Sequence, residues 1–310
     1  MIRLALTLLL AGRGPALHGL RVESSRPFAG DRRLLATVSP NGDGVRDRAV
    51  VRFRLDRAAT VRLDVIRTDT IRPGRPQRTV FSLQRRLRAG ARSLTWRPAS
   101  NIEPRTYLLQ LTVGGRVYTN VPGKPPQAPV VRVLGVEAGF PQRSYAPGDR
   151  ADLRIATDAR RLRLQVFHYT SQLGPSERDF KVAGTAMTAP VQVDWSGHRH
   201  RPALLRFIRA GAWPSGLYFL RLSAQDGRLG YAPFIVRPRA ARTRIGLVLS
   251  TNTWQAYNFW DADGDGWGDS WYVSGRTRSV DLTRPYLDFG VPFRFRDWDL
   301  DFIAWLNRTG

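Results

Sequence analysis

Apolar and polar positions alternate with a period of two from Ala49 onward. In Val51–Arg52–Phe53–Arg54–Leu55 the apolar residues share one face and the arginines the other, and Val61–Arg62–Leu63–Asp64–Val65 repeats the pattern. Strict alternation with one charged face predicts half-buried antiparallel strands. A further strand is predicted over Thr106–Val113. Proline, glycine and polar clusters separate these runs, as in a β-sandwich. A proline-rich stretch, 122–129, follows; repeated proline blocks helix and ladder pairing, so it reads as a linker. Beyond it, Ala151–Ile155 and Leu162–Phe167 alternate again. Each region closes alike: a tryptophan (Trp96; Trp195 and Trp213), a turn, then a strand opening on a tyrosine (Tyr107, Tyr218). These tyrosines are expected at sandwich corners, with the hydroxyl bonded to backbone.

The pattern then changes. Ile245–Gly246–Leu247–Val248–Leu249 is continuously apolar, as in a strand buried on both faces of a parallel sheet. After a long loop, Phe295–Leu306 takes helical spacing, with Trp298, Phe302 and Trp305 at i, i+4 and i+7 and acids near its start. One strand–loop–helix unit cannot bury itself. Either it docks on the second sandwich or the chain is part of something longer; the burial deficit favours the latter. The expected organisation is a signal peptide within residues 1–18, a sandwich over 30–121, the linker, a second sandwich over 130–238, and the start of an α/β domain over 243–310.

Composition narrows the chemistry. The 310 residues contain no cysteine, which excludes disulfides, thiolate metal sites and cysteine nucleophiles. The formal charge is +24, and only Lys124 and Lys181 among the 49 basic residues are lysine. The arginines are scattered and no recognition-helix or RNA-binding aromatic motif accompanies them. Contact with an acidic cell-envelope component, or solvation alone, therefore fits better than nucleic acid. Arg3, the apolar run Leu4–Ala11 and small Gly14 and Ala16 at −3/−1 spacing form a secretory pattern too short to span a bilayer. The expected location is secreted or cell envelope. Oligomeric state is not legible.

Two acidic loops are candidate metal sites. Asp261, Asp263, Asp265 and Asp269 alternate with glycines that allow a tight wrap, as hard oxygen ligands for calcium require. Position twelve of such a loop is Tyr272 rather than a bidentate glutamate. The competing reading is a solvated Asp-Gly turn, or carboxylates paired with arginine. Asn41, Asp43 and Asp47 form a weaker copy in which Asn-Gly and Asp-Gly favour turns outright. His198 and His200 form a conceivable two-histidine site, with a solvated loop as the alternative. No nucleophile elbow, phosphate-binding glycine loop or zinc spacing occurs, and no catalytic residue is assigned.

Two stretches carry family resemblances. Ser39–Asp47, Ala89–Trp96 and Thr106–Tyr107 resemble the immunoglobulin-like domain of the flagellar hook-capping protein, with Arg97–Pro98 where that family usually has an Asp-Gly turn. Thr251–Asn258, Arg284–Pro285–Tyr286 and Trp298–Leu306 resemble the start of the catalytic region of proteins similar to the large subunit of N,N-dimethylformamidase. That resemblance implies β-rich domains ahead of an α/β domain like class I glutamine amidotransferases. It also implies amide hydrolysis at an iron held by one tyrosine and two glutamates. Tyr257 stands at the tyrosine's position. No glutamate follows Glu177, so the other two ligands are missing. The expectation is a mainly β protein: two tandem Ig-like sandwiches and the first βα unit of an incomplete amidase-like domain. Its catalytic site is incomplete in this chain. The alternative is a non-enzymatic extracellular binding or spacer protein.

Overall fold

The computed structural model describes residues 14–68, 78–122, 124–169, 184–240, 245–274, 277–287 and 289–309. Nine strands build the first sandwich: β1 (Leu17–Glu23), β2 (Leu35–Val38), β3 (Ala49–Leu55), β4 (Ala59–Arg67), β5 (Arg78–Leu87), β6 (Gly90–Trp96), β7 (Thr106–Val113), β8 (Arg116–Tyr118) and β9 (Val130–Val133). One sheet has the order β1-β3-β6. The other runs β2-β9-β7-β4-β5, with β8 also on β7. The alternation predicted for β3 is realised: Val51, Phe53 and Leu55 face inward and Arg52 and Arg54 face solvent. Its inward residues meet Val61, Leu63, Val65, Leu109 and Leu111 of the facing sheet in one core with Trp96 and Tyr107.

The proline-rich stretch is not the domain boundary expected from sequence. β9, just beyond it, pairs antiparallel with β7 and parallel with β2, so it completes the first sandwich. Asn120 explains the return. Its Oδ1 accepts from the amides of Gln127 and Ala128 at 2.8 and 2.7 Å, and its Nδ2 donates to the Ala128 carbonyl. A loop that cannot pair is thus clasped at both ends by one side chain. At the other end, Leu17 opens β1, so the first sandwich starts earlier than residue 30. A leader ending after Ala16 leaves β1 whole; one ending after His18 removes its first pairs with β3.

The second sandwich comprises β10 (Glu137–Gly139), β11 (Ser144–Tyr145), β12 (Arg150–Ala156), β13 (Arg161–His168), β14 (Thr185–Ala186), β15 (Val191–Asp194), β16 (Ala203–Arg209), β17 (Gly216–Ala224) and β18 (Leu229–Val236). Its sheets are β10-β12-β16 and β11-β18-β17-β13-β14, with β15 also on β13. Both tyrosine corners form as expected. The Tyr107 hydroxyl donates to the Glu103 carbonyl at 3.0 Å and the Tyr218 hydroxyl to the Pro214 carbonyl at 2.7 Å, four residues upstream in each case.

The C-terminal segment departs most from expectation. The run 245–249 is in no strand, and Val248 is 93% exposed. Of this run, Leu249 packs against the apolar cluster on the second sandwich. Three short helices follow: α1 (Thr251–Tyr257), α2 (Phe295–Trp298) and α3 (Leu300–Thr309). Among the described residues, no helix is long and apolar enough to cross a membrane.

The segment lies on the outer faces of both sandwiches. Trp267 enters the first, against Leu35, Ile66, Leu108 and Val130. Trp254, Val291, Phe295 and Ile303 cover the second, against Leu217, Phe219 and Tyr231. This cover explains why the strands lose their alternation at one end: Leu108 of β7, and Leu217 and Phe219 of β17, are apolar on the outward face. Two glycines allow the approach. Gly266 (φ +94°) sits over Val130 and Leu108, and Gly290 (φ +90°) lies flat on the Tyr231 backbone, where Tyr231 N–H bonds the Phe289 carbonyl. Both hold a conformation that favours glycine, and a Cβ on Gly290 would collide with backbone.

Tyr107→Phe and Tyr218→Phe should each lower stability by about 1 kcal/mol, the net worth of one such hydrogen bond, read as a fall of a few degrees in melting temperature. Trp267→Ala should cost more, roughly 3–5 kcal/mol if its site does not collapse, as in large-to-small core substitutions; chemical denaturation would measure it.

Candidate functional site at the C-terminal segment

The polar residues of the Thr251–Asn258 and Arg284–Tyr286 motifs form one buried lattice. The Arg284 guanidinium donates to the carbonyls of Gln255 (2.8 Å) and Asp269 (3.0 Å) and reaches those of Trp260 and Asn258. Gln255 Nε2 donates back to the Arg284 carbonyl at 2.8 Å. Asn258 Nδ2 donates to the Pro285 carbonyl at 2.9 Å, and its Oδ1 accepts from the Leu287 amide at 3.0 Å. Burial lowers the pKa of Arg284 and raises that of Tyr286. These residues tie α1 to the irregular return at 284–287, and the lattice closes off the end carbonyls of a short helix. On its other side, Trp254 Nε1 donates to Asp299 at 2.9 Å and fixes α1 to the α2–α3 junction.

Tyr257 stands at the end of α1, outside this lattice. Its ring packs on Tyr272 (4.7 Å between centroids), Phe293 (5.6 Å) and Trp298 (5.8 Å). Trp271 stacks on Tyr272, and Phe302 stacks on Trp305 farther along α3. The helical stripe predicted from sequence is present but faces solvent: Trp298 and Trp305 are 55% and 51% exposed, while Ile303 and Ala304 take the buried face. Among the described residues, the one group of three or more His, Asp or Glu side chains converging at metal-binding distance lies in the acidic loop. The aromatic surroundings of Tyr257 do not fit an iron centre in the described residues.

The acidic loop is a tightly wrapped turn beneath α1. Ligand atoms of Asp261, Asp263 and Asp265 all lie within 4.8 Å of one another. Asp261 accepts from the amides of Gly264 (2.7 Å) and Gly266 (3.0 Å), Asp265 from Trp267 (2.6 Å), and Asp269 from Ala262 (2.8 Å). Arg32 and Thr68 of the first sandwich donate to the loop carbonyls of Asp263 and Gly266, and Asn120 Nδ2 donates to that of Asp265 at 2.8 Å. Burial, then the neighbouring carboxylates, push Asp261 up to about 7. Burial likewise raises Asp265 to about 6. Tyr272, at position twelve, is exposed and stacked rather than turned into the loop.

The other candidates disperse. Asp43 bonds Arg199 at 2.8 Å and the Val45 amide; Asp47 accepts from the amides of Gly42 and Gly44; Asn41 Oδ1 accepts from the Asp43 amide. Their oxygens serve a turn and an ion pair. His198 packs on Trp195 and His200 meets Arg46, so the two imidazoles go to different partners. Sequence reading did not identify Glu137 of β10, which burial pushes up to about 7 beside Trp260, Tyr286 and Phe289. A lone acid in a short strand carries no periodic signal that could have found it.

With this geometry in view, comparison with known proteins locates the segment. Residues 182–310 match the family model for the C-terminal region of N,N-dimethylformamidase beta subunit-like proteins. The matched part takes in β14–β18 of the second sandwich as well as the lattice, the acidic loop and the aromatic face. A search of the curated proteins found no match. Among solved structures, trypsin-activated alpha-2-macroglobulin from Escherichia coli overlaps 75% of this chain at 11% identity and a TM-score of 0.36. A Salmonella alpha-2-macroglobulin mutant overlaps 72% at 12% identity and a TM-score of 0.32. The chain spans only 17% and 16% of those two proteins, and overlaps this loose carry no functional weight.

The raised acids set a pH dependence. A carboxyl whose folded pKa lies above its unfolded 3.8 stabilises the fold fully below about pH 4 and loses that contribution as pH rises through the folded value. Asp265→Asn keeps the acceptor for Trp267 and removes the charge. Its melting temperature relative to wild type, in cation-free buffer, should therefore rise from pH 4 to about 6 and level off above. The calcium expectation is checked in the same experiment: a bound cation predicts that millimolar calcium raises the wild-type melting temperature at pH 7, and no shift removes that expectation.

Proposed function

We propose that residues 245–309 are the docked base of an amidohydrolase-like domain of the dimethylformamidase type, carried on two sandwiches that hold it from below. The observation that supports this most is the division of the segment into two faces. One is fixed to the sandwiches through Trp254, Trp267, Phe295 and Ile303. The other, around Tyr257, leaves Trp298, Phe302 and Trp305 open, and the apolar run 245–249 lies in no strand, with Val248 exposed. Further βα units stacked on the segment would cover the aromatics and the exposed apolar Val248, as amphipathic helices and buried strands require. The family-model match over 182–310 supports the same reading. Export to the cell envelope or beyond is proposed on the pattern of residues 1–16.

On this reading residues 1–310 alone do not turn over. The purified chain, supplied with iron, should release no dimethylamine from N,N-dimethylformamide above the buffer rate. Turnover that disappears in Tyr257→Phe would contradict the reading and make this chain an enzyme in its own right. The open face should also make the chain self-associate. Trp298→Gln with Trp305→Gln should reduce light scattering at high concentration while changing stability by no more than about 0.5 kcal/mol each, as for exposed positions.

A further inference from the structure

The sandwiches meet across a buried charge cluster to which the Ser39–Asp47 loop brings the first sandwich's charged side chains. Arg46 is fully buried with its backbone left-handed (φ 61°). Its Nε donates to the Arg26 carbonyl at 2.7 Å, its Nη2 reaches the Pro27 carbonyl and His200 Nδ1, and its guanidinium lies over the Phe28 ring. Across the boundary, Asp158 is equally buried and stands 3.5 Å from Arg46 Nη1. Asp158 Oδ1 accepts from Ser39 Oγ at 2.9 Å and from Arg228 Nη2 at 2.7 Å, while Arg228 Nη1 donates to Ser39 Oγ at 2.8 Å and to the Leu134 carbonyl at 3.1 Å. A second arm runs from Arg199, whose Nη2 bonds Asp43 and whose Nε bonds the Asp158 carbonyl. The Ala29 amide adds a backbone bond to the His200 carbonyl at 2.7 Å.

We propose that the Ser39–Asp47 loop is an interdomain latch: Ser39, Asp43 and Arg46 of the first sandwich close on Asp158, Arg199 and Arg228 of the second and fix the two as one rigid body. Interfaces between domains of one chain ordinarily allow relative motion unless they are large and apolar. Here three guanidiniums and the facing carboxylates, with Arg46 and Asp158 out of solvent, replace an apolar seam. Separating the domains would take Asp158 and His200 from Arg46, and Ser39 and Arg46 from Asp158, during the motion, and desolvated charges tolerate little displacement. The consequence reaches the C-terminal segment. Trp267 is seated on one sandwich and Phe295 on the other, so the segment keeps both seats only while their relative position is fixed.

The absence of cysteine allows a direct test on the full chain. Spin labels at Ala58→Cys and Gln192→Cys, exposed positions on opposite sandwiches, report the interdomain distance by pulsed electron resonance. The latch predicts one narrow distribution in the otherwise wild-type chain and a clearly broadened one in Asp158→Asn and Arg46→Met. Calorimetry should show one unfolding transition splitting into two. Should Arg46→Met fail to fold, Arg199→Met removes only the outer arm and should broaden the distribution less. A broad distribution in the wild-type background, or a narrow one with a single transition in every folded variant, would overturn the proposal.

Discussion

The dependence of the C-terminal segment on two separate supports governs this structure. A segment with three short helices and no strand among its described residues has little interior to offer, and α1, with seven residues, is far below the length at which an isolated helix persists in water. Its order comes from surfaces it does not own. Trp267 buries its side chain on the first sandwich, and Trp254, Phe295 and Ile303 bury theirs on the second. A tryptophan buries about 200 Å², so each such anchor contributes roughly 5 kcal/mol before the entropy of ordering is subtracted. The arginine–amide lattice around Arg284 then sets the geometry between the anchors.

The same constraint accounts for features of the sandwiches themselves. A sheet with one face in solvent should carry polar residues there, as β3 does with Arg52 and Arg54. β7 and β17 instead place Leu108, Leu217 and Phe219 outward at the ends where the segment lies. The acidic loop follows a related logic. Its backbone is pulled against the first sandwich by Arg32, Thr68 and Asn120, which donate to its carbonyls, and that pull brings carboxylates into partial burial. Their raised proton affinity results from docking.

Much of the architecture was legible because period-two alternation is a local signal. Strands β3, β4, β12 and β13 are legible from it, and the strands opening on Tyr107 and Tyr218, with their corners, from the tryptophan–turn–tyrosine order. What escaped depended on partners distant in sequence. Nothing local tells that Val130–Val133, after a run of prolines, returns to β7; the clasp by Asn120 does so. The run at 245–249 has strand composition but lies in no strand, and the stripe of Trp298, Phe302 and Trp305 has core spacing but an open face. Periodicity reports which residues share a face, not what covers it. For the acidic loop, sequence spacing did identify three carboxylates that converge, while it could not show that Tyr272 turns outward.

Amide hydrogen exchange on the intact chain tests the two-support account most directly. Docking on both sandwiches predicts that peptides from 254–258 and 264–268 exchange as slowly as those of β17 and β7, while 246–248 exchanges at near-unstructured rates. Fast exchange throughout 251–269, with β7 and β17 still protected, would show the segment detached from its supports and contradict the account.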